Sequence, residues 1–200
     1  MEANNLMVGS VEAGIREIID RLESAEGDHG LLSLLRPAGK DDFALIGELV
    51  QTYCVADALC RGLTAMLQEH RLSTPSPSAY SLNDTAVLQH LKTEAELTEV
   101  AVNKAGIISA VETIELHRVF RHTFSHWIVH RYVDGDHIVA LSKSARDAKR
   151  RDGIALEYGE AKLMVFPLDD LKNELAKIKN QCKFLTEVHA YLEGTPATFA

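Results

Sequence analysis

The chain has 200 residues, a formal net charge of −8 and 46% hydrophobic residues. This length can bury a substantial core in one domain, and the apolar content is typical of a globular chain rather than a disordered one. The acidic balance argues against a protein that coats nucleic acid indiscriminately.

Helical periodicity dominates the first part of the chain. Between Val11 and Glu23, apolar residues recur at the spacing of one helix face. Asp41 or Asp42 can cap a long second helix, which the apolar pattern extends to about Leu72. The sequence therefore predicts two helices separated by a segment that contains glycines and a proline.

A loop rich in proline and serine, residues 73–81, ends the second helix because it cannot continue one. Asn83 or Asp84 caps a third helix that ends near Gly106.

The fourth helix has a clear predicted start and end. Ser109 and Glu112 have the spacing of a capping box. The helix then extends to about Val133, where Asp134 and Gly135 end it.

After Gly135 the apolar residues no longer recur with a helical period. Residues 137–142 and 161–167 are short apolar runs typical of strands, and residues 154–166 are predicted to form a hairpin that turns at Gly159. Helical periodicity returns from Leu168 to Leu192, with Asp169 as the cap.

Together these elements predict a mainly α fold. We expect an antiparallel helical bundle with a small β-hairpin or meander inserted before the C-terminal helix. The expected single domain covers residues 1–200, with its helical core at about 41–133 plus 168–192 and the β-containing excursion at about 137–167.

No apolar run approaches the roughly 18 residues of a membrane span. The first residues lack the basic and apolar regions of a secretory signal. The three cysteines, Cys54, Cys60 and Cys182, suggest neither a disulfide framework nor a zinc ribbon. We therefore expect a cytoplasmic protein without membrane contact.

One six-residue stretch of the fourth helix combines groups that act on phosphates. It reads Arg-His-Thr-Phe-Ser-His, from Arg121 through His122 to His126. A guanidinium can hold a phosphate with two parallel hydrogen bonds, and an imidazole can carry a proton near neutral pH. These are the groups needed to cleave RNA without a metal. A solvent-facing helix surface that is rich in His and Arg would give the same pattern.

The charge distribution points to the same region. Residues 1–100 carry 7 Lys and Arg against 16 Asp and Glu, whereas residues 101–200 carry 14 against 13. Between Thr113 and Arg151 there are 8 basic residues, 4 acidic residues and five of the nine histidines. A phosphate-binding surface requires such a local positive bias.

The arrangement of an Arg, a polar residue directly after it and a His five positions after the Arg resembles the signature motif of the HEPN superfamily. The resemblance implies a helical bundle that forms a homodimer, with two motif helices facing one cleft. It also implies metal-independent endoribonuclease activity, without a cofactor, in a defence, stress or toxin-antitoxin setting with a possible antitoxin or other regulatory partner.

The resemblance also implies roles for the three motif residues. Arg121 would grip the scissile phosphate, His126 would act as general acid or base, and His122 would orient the site. Such cleavage leaves a cyclic phosphate and needs the 2′-hydroxyl of RNA. Where toxin members of the family place a tyrosine two residues after the histidine, this chain has Ile128, which puts regulation by modification of that tyrosine in doubt.

Further basic residues near the motif are predicted to contact RNA. They are Arg118, His130, Lys143, Arg146, Lys149, Arg150 and Arg151.

The sequence is also compatible with two other functions. The chain could be a non-catalytic RNA-binding or regulatory module. Alternatively, His122, His126 and His130, which follow each other at helical spacing, could supply imidazoles to a metal ion.

Overall fold

The computed structural model describes residues 14–73, 77–144 and 161–194. In this part of the chain the fold is mainly helical with a small antiparallel sheet, which confirms the predicted class. The elements in chain order are α1 (14–23), α2 (Gly27–Ser33), β1 (Leu35–Pro37), α3 (Lys40–Leu72), a 3-10 helix (Pro77–Ser81), α4 (Asp84–Leu97), α5 (Lys104–His126), β2 (Ile128–Tyr132), β3 (His137–Ser142), β4 (Lys162–Pro167) and α6 (Leu168–Leu192).

The chain divides into two compact units. The first unit comprises Met1–Ile46 and Thr123–Lys172, and the second comprises Gly47–His122 and Asn173–Ala200. The three longest helices, α3, α5 and α6, each contribute residues to both units.

The first unit is built around the four-stranded sheet. Its strand order is β1-β2-β3-β4, and every neighbouring pair is antiparallel. Leu35 pairs with Tyr132, and Val139 pairs with both His130 and Val165. One core cluster joins residues of α1 to the sheet: Ile18, Leu22, Leu35, Tyr132, Val139, Leu141 and Val165.

The predicted extent of the motif helix to Val133 is wrong. α5 ends at His126, and Ile128–Tyr132 forms β2 instead. This segment is rich in β-branched and aromatic residues, which favour a pleated surface. Because β2 has strand partners on both sides, β1 and β3, its backbone hydrogen bonds are satisfied without a helix.

The predicted boundary between the third and fourth helices is also wrong. α4 ends at Leu97 and α5 begins at Lys104, so that Ser109 lies inside α5 rather than at its cap. The side chain of Asn103 takes the capping role, since its Oδ1 accepts a hydrogen bond from the backbone N–H of Gly106 at 2.9 Å.

Other predicted boundaries are confirmed. The long second helix runs from Lys40 to Leu72, and the last helix is Leu168–Leu192. The predicted caps of these two helices are wrong, because Asp41, Asp42 and Asp169 lie within their first turns. Asn83 caps α4 by accepting a hydrogen bond from Ala86 N at 2.9 Å. The strands at 137–142 and 162–167 are also present, whereas the turn expected at Gly159 lies outside the described residues.

In the second unit, α3 and α4 run in the same direction. Arg61 of α3 pairs with Asp84 of α4, and Arg71 pairs with Glu94, ten residues further along both helices. The prediction that neighbouring helices are antiparallel is therefore wrong for α3 and α4. Residues 77–83 lie beside α3, since NH1 of Arg61 donates hydrogen bonds to the carbonyl oxygens of Ala79 and Leu82.

α5 runs opposite to α4. Asp84 at the start of α4 pairs with Arg121 near the end of α5, whereas Lys92 pairs with the earlier residue Glu115. α5 and α6 approach closely at Gly106, because a Cβ there would lie 2.6 Å from the ring of Phe184.

By length and composition, α3 could cross a membrane, and 28% of its most apolar stretch is buried. Among the described residues, α3 is the helix that meets this test. Its buried stripe includes Leu49, Tyr53, Cys60 and Leu63, and Arg61 and Asp57 form an ion pair along it. One stripe of α3 therefore packs in the core of the described residues.

Candidate functional site

The six-residue motif lies at the C-terminal end of α5. Arg121 and His122 belong to the second unit, and Thr123 to His126 belong to the first. At about 100° per residue, Arg121 and His126 are separated by roughly 140° around the helix axis. Their side chains therefore do not share one stripe of α5.

The guanidinium of Arg121 contacts a carboxylate. Its NH1 donates a hydrogen bond to Oδ2 of Asp84 at 3.2 Å, and 32% of the Arg121 side chain is exposed. The contact uses one nitrogen and one oxygen, so it is not the two-bond geometry that a guanidinium makes with its strongest partners.

Asp84 is also held by a second arginine. NH2 of Arg61 donates to Oδ1 of Asp84 at 3.0 Å, and Nε of Arg61 donates to Asp57 at 2.8 Å. The hydrogen bond to Asp57, followed by the charges of Asp57 and Asp84, raises the pKa of Arg61, so this cation persists at all physiological pH values. Arg61 therefore holds in place the carboxylate that accepts the hydrogen bond of Arg121.

As far as the described residues go, the other nitrogens of Arg121 are available to a ligand. Within residues 14–73, 77–144 and 161–194, the guanidinium makes one hydrogen bond, to Asp84. The edge formed by Nε and NH2 has the geometry for two parallel hydrogen bonds to a phosphate. Asp84 thus orients this guanidinium from one side while its other edge can bind an anion.

The other predicted motif residues differ in exposure. His126 is exposed and is the last residue of α5, while His122 is partly buried. Arg118, one turn before His122, donates a hydrogen bond from NH1 to Oγ1 of Thr85 at 3.0 Å. Like Arg121, it therefore reaches the first turn of α4.

The row of three histidines is not formed. His122 and His126 lie on α5, but His130 lies on β2, where it pairs with Val139. His130 is partly buried, and its Nδ1 is buried without a hydrogen-bond partner among the described residues. In that part of the chain no group of three His, Cys, Asp or Glu side chains is placed to hold a metal ion.

The basic connection after β3 is described only at its start. Lys143 is exposed, and its Nζ lies 2.6 Å from Oδ1 of Asp28. The other predicted phosphate contacts of this segment lie outside the described residues: Arg146, Lys149, Arg150 and Arg151.

The structure also reveals a polar cluster that the sequence pattern did not indicate. Glu174 of α6 is 3% exposed, and its Oε1 accepts a hydrogen bond from the hydroxyl of Tyr53 at 2.8 Å. Its Oε2 lies 3.1 Å from Nδ1 of His117 on α5. His117 precedes Arg121 by four residues, so the two side chains lie on the same side of α5, within about 40°.

Burial determines the protonation state of Tyr53. Removal from water, followed by its hydrogen bond to Glu174, raises the pKa of Tyr53 far above its ordinary value. The hydroxyl therefore stays protonated and remains a donor to the carboxylate. The helical spacing of His117 and Arg121 is visible in the sequence, but Glu174 and Tyr53 are far apart along the chain and no local pattern connects them.

No family model, curated protein or solved structure matches the chain. The interpretation of the candidate site therefore depends on its own geometry and on the resemblance of its motif.

Proposed function

We propose that this protein is a metal-independent endoribonuclease of the HEPN type. The observation that supports it best is the state of Arg121, which is oriented by Asp84 through NH1 while its Nε and NH2 edge can bind an anion. Because Arg61 also holds Asp84, Arg121 needs no rearrangement of that carboxylate to receive a phosphate. A guanidinium fixed before the substrate arrives stabilises charge that develops in the transition state.

In the proposed reaction, Arg121 binds the scissile phosphate of RNA. The ribose 2′-oxygen attacks phosphorus, and the bond from phosphorus to the 5′-oxygen breaks. His126 transfers a proton as general acid or base, and His122 orients the site by hydrogen bonding. The products are a 2′,3′-cyclic phosphate and a 5′-hydroxyl, and DNA is not a substrate because it lacks the 2′-hydroxyl.

The wider setting follows from the resemblance of the motif. We propose that the protein acts as a cytoplasmic homodimer in defence, stress response or a toxin-antitoxin system, with an antitoxin or other regulatory protein as a possible partner. Arg118 adds a second cation on α5 near the first turn of α4, which favours binding of a polyanion.

A second candidate function is a non-catalytic RNA-binding or regulatory module. The observation that favours it is the same ion pair, because an Arg121 that serves only to hold Asp84 would stabilise the contact between α5 and α4 without acting on a substrate. The two candidates differ in what happens when Asp84 loses its charge.

The test compares the wild type with substituted proteins on a panel of fluorophore-labelled single-stranded RNAs in EDTA. If Arg121 binds the phosphate, Arg121→Ala lowers the cleavage rate by about 100-fold or more. Asp84→Asn lowers it less, because the amide oxygen of Asn can still accept the hydrogen bond that orients Arg121. If Arg121 serves only to hold Asp84, the two substitutions have equal effects. Lys179→Ala removes a cation from an exposed ion pair with Glu48 and is the control for a general loss of positive charge.

The outcomes separate the candidates. Binding of the panel without cleavage by the wild type favours the non-catalytic module. Cleavage that survives both Arg121→Ala and His126→Ala removes the catalytic assignment.

A further inference from the structure

A buried carboxylate faces an imidazole of the motif helix, one turn before Arg121. Oε2 of Glu174 lies 3.1 Å from Nδ1 of His117, and the side chains are 4% and 23% exposed. The other oxygen of Glu174 accepts the hydrogen bond of Tyr53. Both oxygens of the buried carboxylate therefore have a partner, and the position of His117 is defined by groups from α3 and α6.

The ring of His117 is further restricted along its own helix. It stacks on the ring of Phe120, with the centroids 6.0 Å apart and the ring planes 19° from parallel. Since Nδ1 faces Glu174, Nε2 is the nitrogen left to exchange a proton with a substrate. A carboxylate against one nitrogen of an imidazole and a substrate against the other is the arrangement in which a histidine takes up a proton during catalysis.

We propose that His117 is the general base of the reaction, with Glu174 and Tyr53 as its positioning residues. This inference depends on the proposed ribonuclease function and names the group that activates the 2′-hydroxyl. Within the described part of the chain, the buried Glu174 faces His117, Tyr53 lies on the far side of Glu174, and Arg121 lies one turn further along α5. When His117 accepts a proton, its new positive charge lies beside a carboxylate that burial has removed from water.

The proton and the electrons of this step balance. Nε2 of His117 accepts the proton of the ribose 2′-hydroxyl as the 2′-oxygen forms its bond to phosphorus. The bond from phosphorus to the 5′-oxygen breaks, and its electron pair leaves with that oxygen. The departing oxygen takes a proton from a general acid. The imidazolium of His117 then releases its proton to water.

The experiment measures single-turnover cleavage of the labelled RNA panel in EDTA between about pH 5 and pH 9, where histidines titrate. We expect His117→Gln to lower the rate by about 100-fold and to remove the rise of the rate with pH. Glu174→Gln and Tyr53→Phe are expected to lower the rate less and to displace that rise along the pH axis, which a purely structural role would not do. The matched control is His189→Gln, because His189 pairs with a carboxylate that is half exposed, Glu193.

A second variant separates chemistry from folding. In His117→Ala, added imidazole is expected to restore at least a tenth of the wild-type rate, since the free base replaces the missing one. A His117→Gln protein that folds and cleaves within threefold of the wild type overturns the inference, while loss of cleavage in Arg121→Ala still supports the proposed function. Failure of the wild type to cleave any RNA of the panel overturns both.

Discussion

The carboxylate of Glu174 lies 3.1 Å from Nδ1 of His117, and this contact links the last helix of the chain to the helix that carries the motif within the second unit. The hydroxyl of Tyr53 brings α3 to the same carboxylate. Three helices that are distant in sequence therefore meet at one buried anion.

Removal of the partners of Glu174 is expected to destabilise the protein. In Tyr53→Phe the carboxylate loses a hydrogen bond in a place that water does not reach, and a buried polar group without its partner costs about 1–3 kcal/mol. Urea denaturation followed by circular dichroism measures the loss in the free energy of unfolding. A Tyr53→Phe protein as stable as the wild type would contradict the buried hydrogen bond.

The close approach of α5 to α6 at Gly106 gives a second prediction. A Cβ at this position would lie 2.6 Å from Phe184 Cζ and 2.6 Å from Asn103 Nδ2. We expect Gly106→Ala to lower the free energy of unfolding by about 1–3 kcal/mol, as overpacking does. The matched control is Gly47→Ala on α3, which has open space around its Cβ and is expected to stabilise the helix by about 0.5–1 kcal/mol. Equal effects of the two substitutions would refute the close packing at Gly106.

The ion pair of Glu94 with Arg71 leads to a prediction about how stability depends on pH. The hydrogen bond of Glu94 to Arg71 is the largest cause of a pKa below the ordinary 4.5, and Gln68 adds a further hydrogen bond. Because the folded state holds this carboxylate in its charged form, the stabilisation is fully present above pH 4.5 and is lost as the pH falls through the lowered pKa.

We therefore expect the melting temperature to fall when the pH is lowered below about 4.5, and to fall less steeply in Glu94→Gln. At neutral pH the same substitution is expected to lower the melting temperature by roughly 5 °C. Differential scanning fluorimetry across pH 3–7 measures both effects. If the melting temperature of Glu94→Gln falls with pH as steeply as that of the wild type, other carboxylates cause the acid sensitivity.

Helix existence could be predicted from the sequence because it depends on local periodicity. The pattern of α3 and α6 gave their ends at Leu72 and at Leu168–Leu192. The boundary at His126 could not be predicted in this way, because Ile128–Tyr132 becomes a strand only through its pairing with β1 and β3. β1 itself has three residues, too few to show a period.

In the candidate site, too, local patterns predict some features, whereas others depend on contacts between distant parts of the chain. Arg121 and His126 were visible as a motif, but the partner of Arg121, Asp84, was interpreted in the sequence as a possible helix cap. The cluster of His117, Glu174 and Tyr53 could not be predicted, since its members come from three helices. Contacts between distant helices are set by packing, which local spacing does not encode.

The contribution of Arg121 to RNA binding can be measured apart from cleavage. With 2′-deoxy-substituted oligonucleotides, which cannot be cleaved by the proposed route, the logarithm of the dissociation constant is expected to rise linearly with the logarithm of the salt concentration. Arg121→Ala is expected to lower this slope by about 0.7, the value for one contact to a single-stranded phosphate. Fluorescence anisotropy at several salt concentrations gives the slope, and an unchanged slope would show that Arg121 makes no contact with phosphate.

The most direct measurement of the proposed function is mass spectrometry of the RNA ends after incubation with the full-length protein in EDTA. We expect fragments that end in a 2′,3′-cyclic phosphate and fragments that begin with a 5′-hydroxyl. These fragments should be absent with Arg121→Ala and present with Asp84→Asn. Intact RNA with the wild-type protein, or equal fragments from Arg121→Ala, would contradict the proposed function.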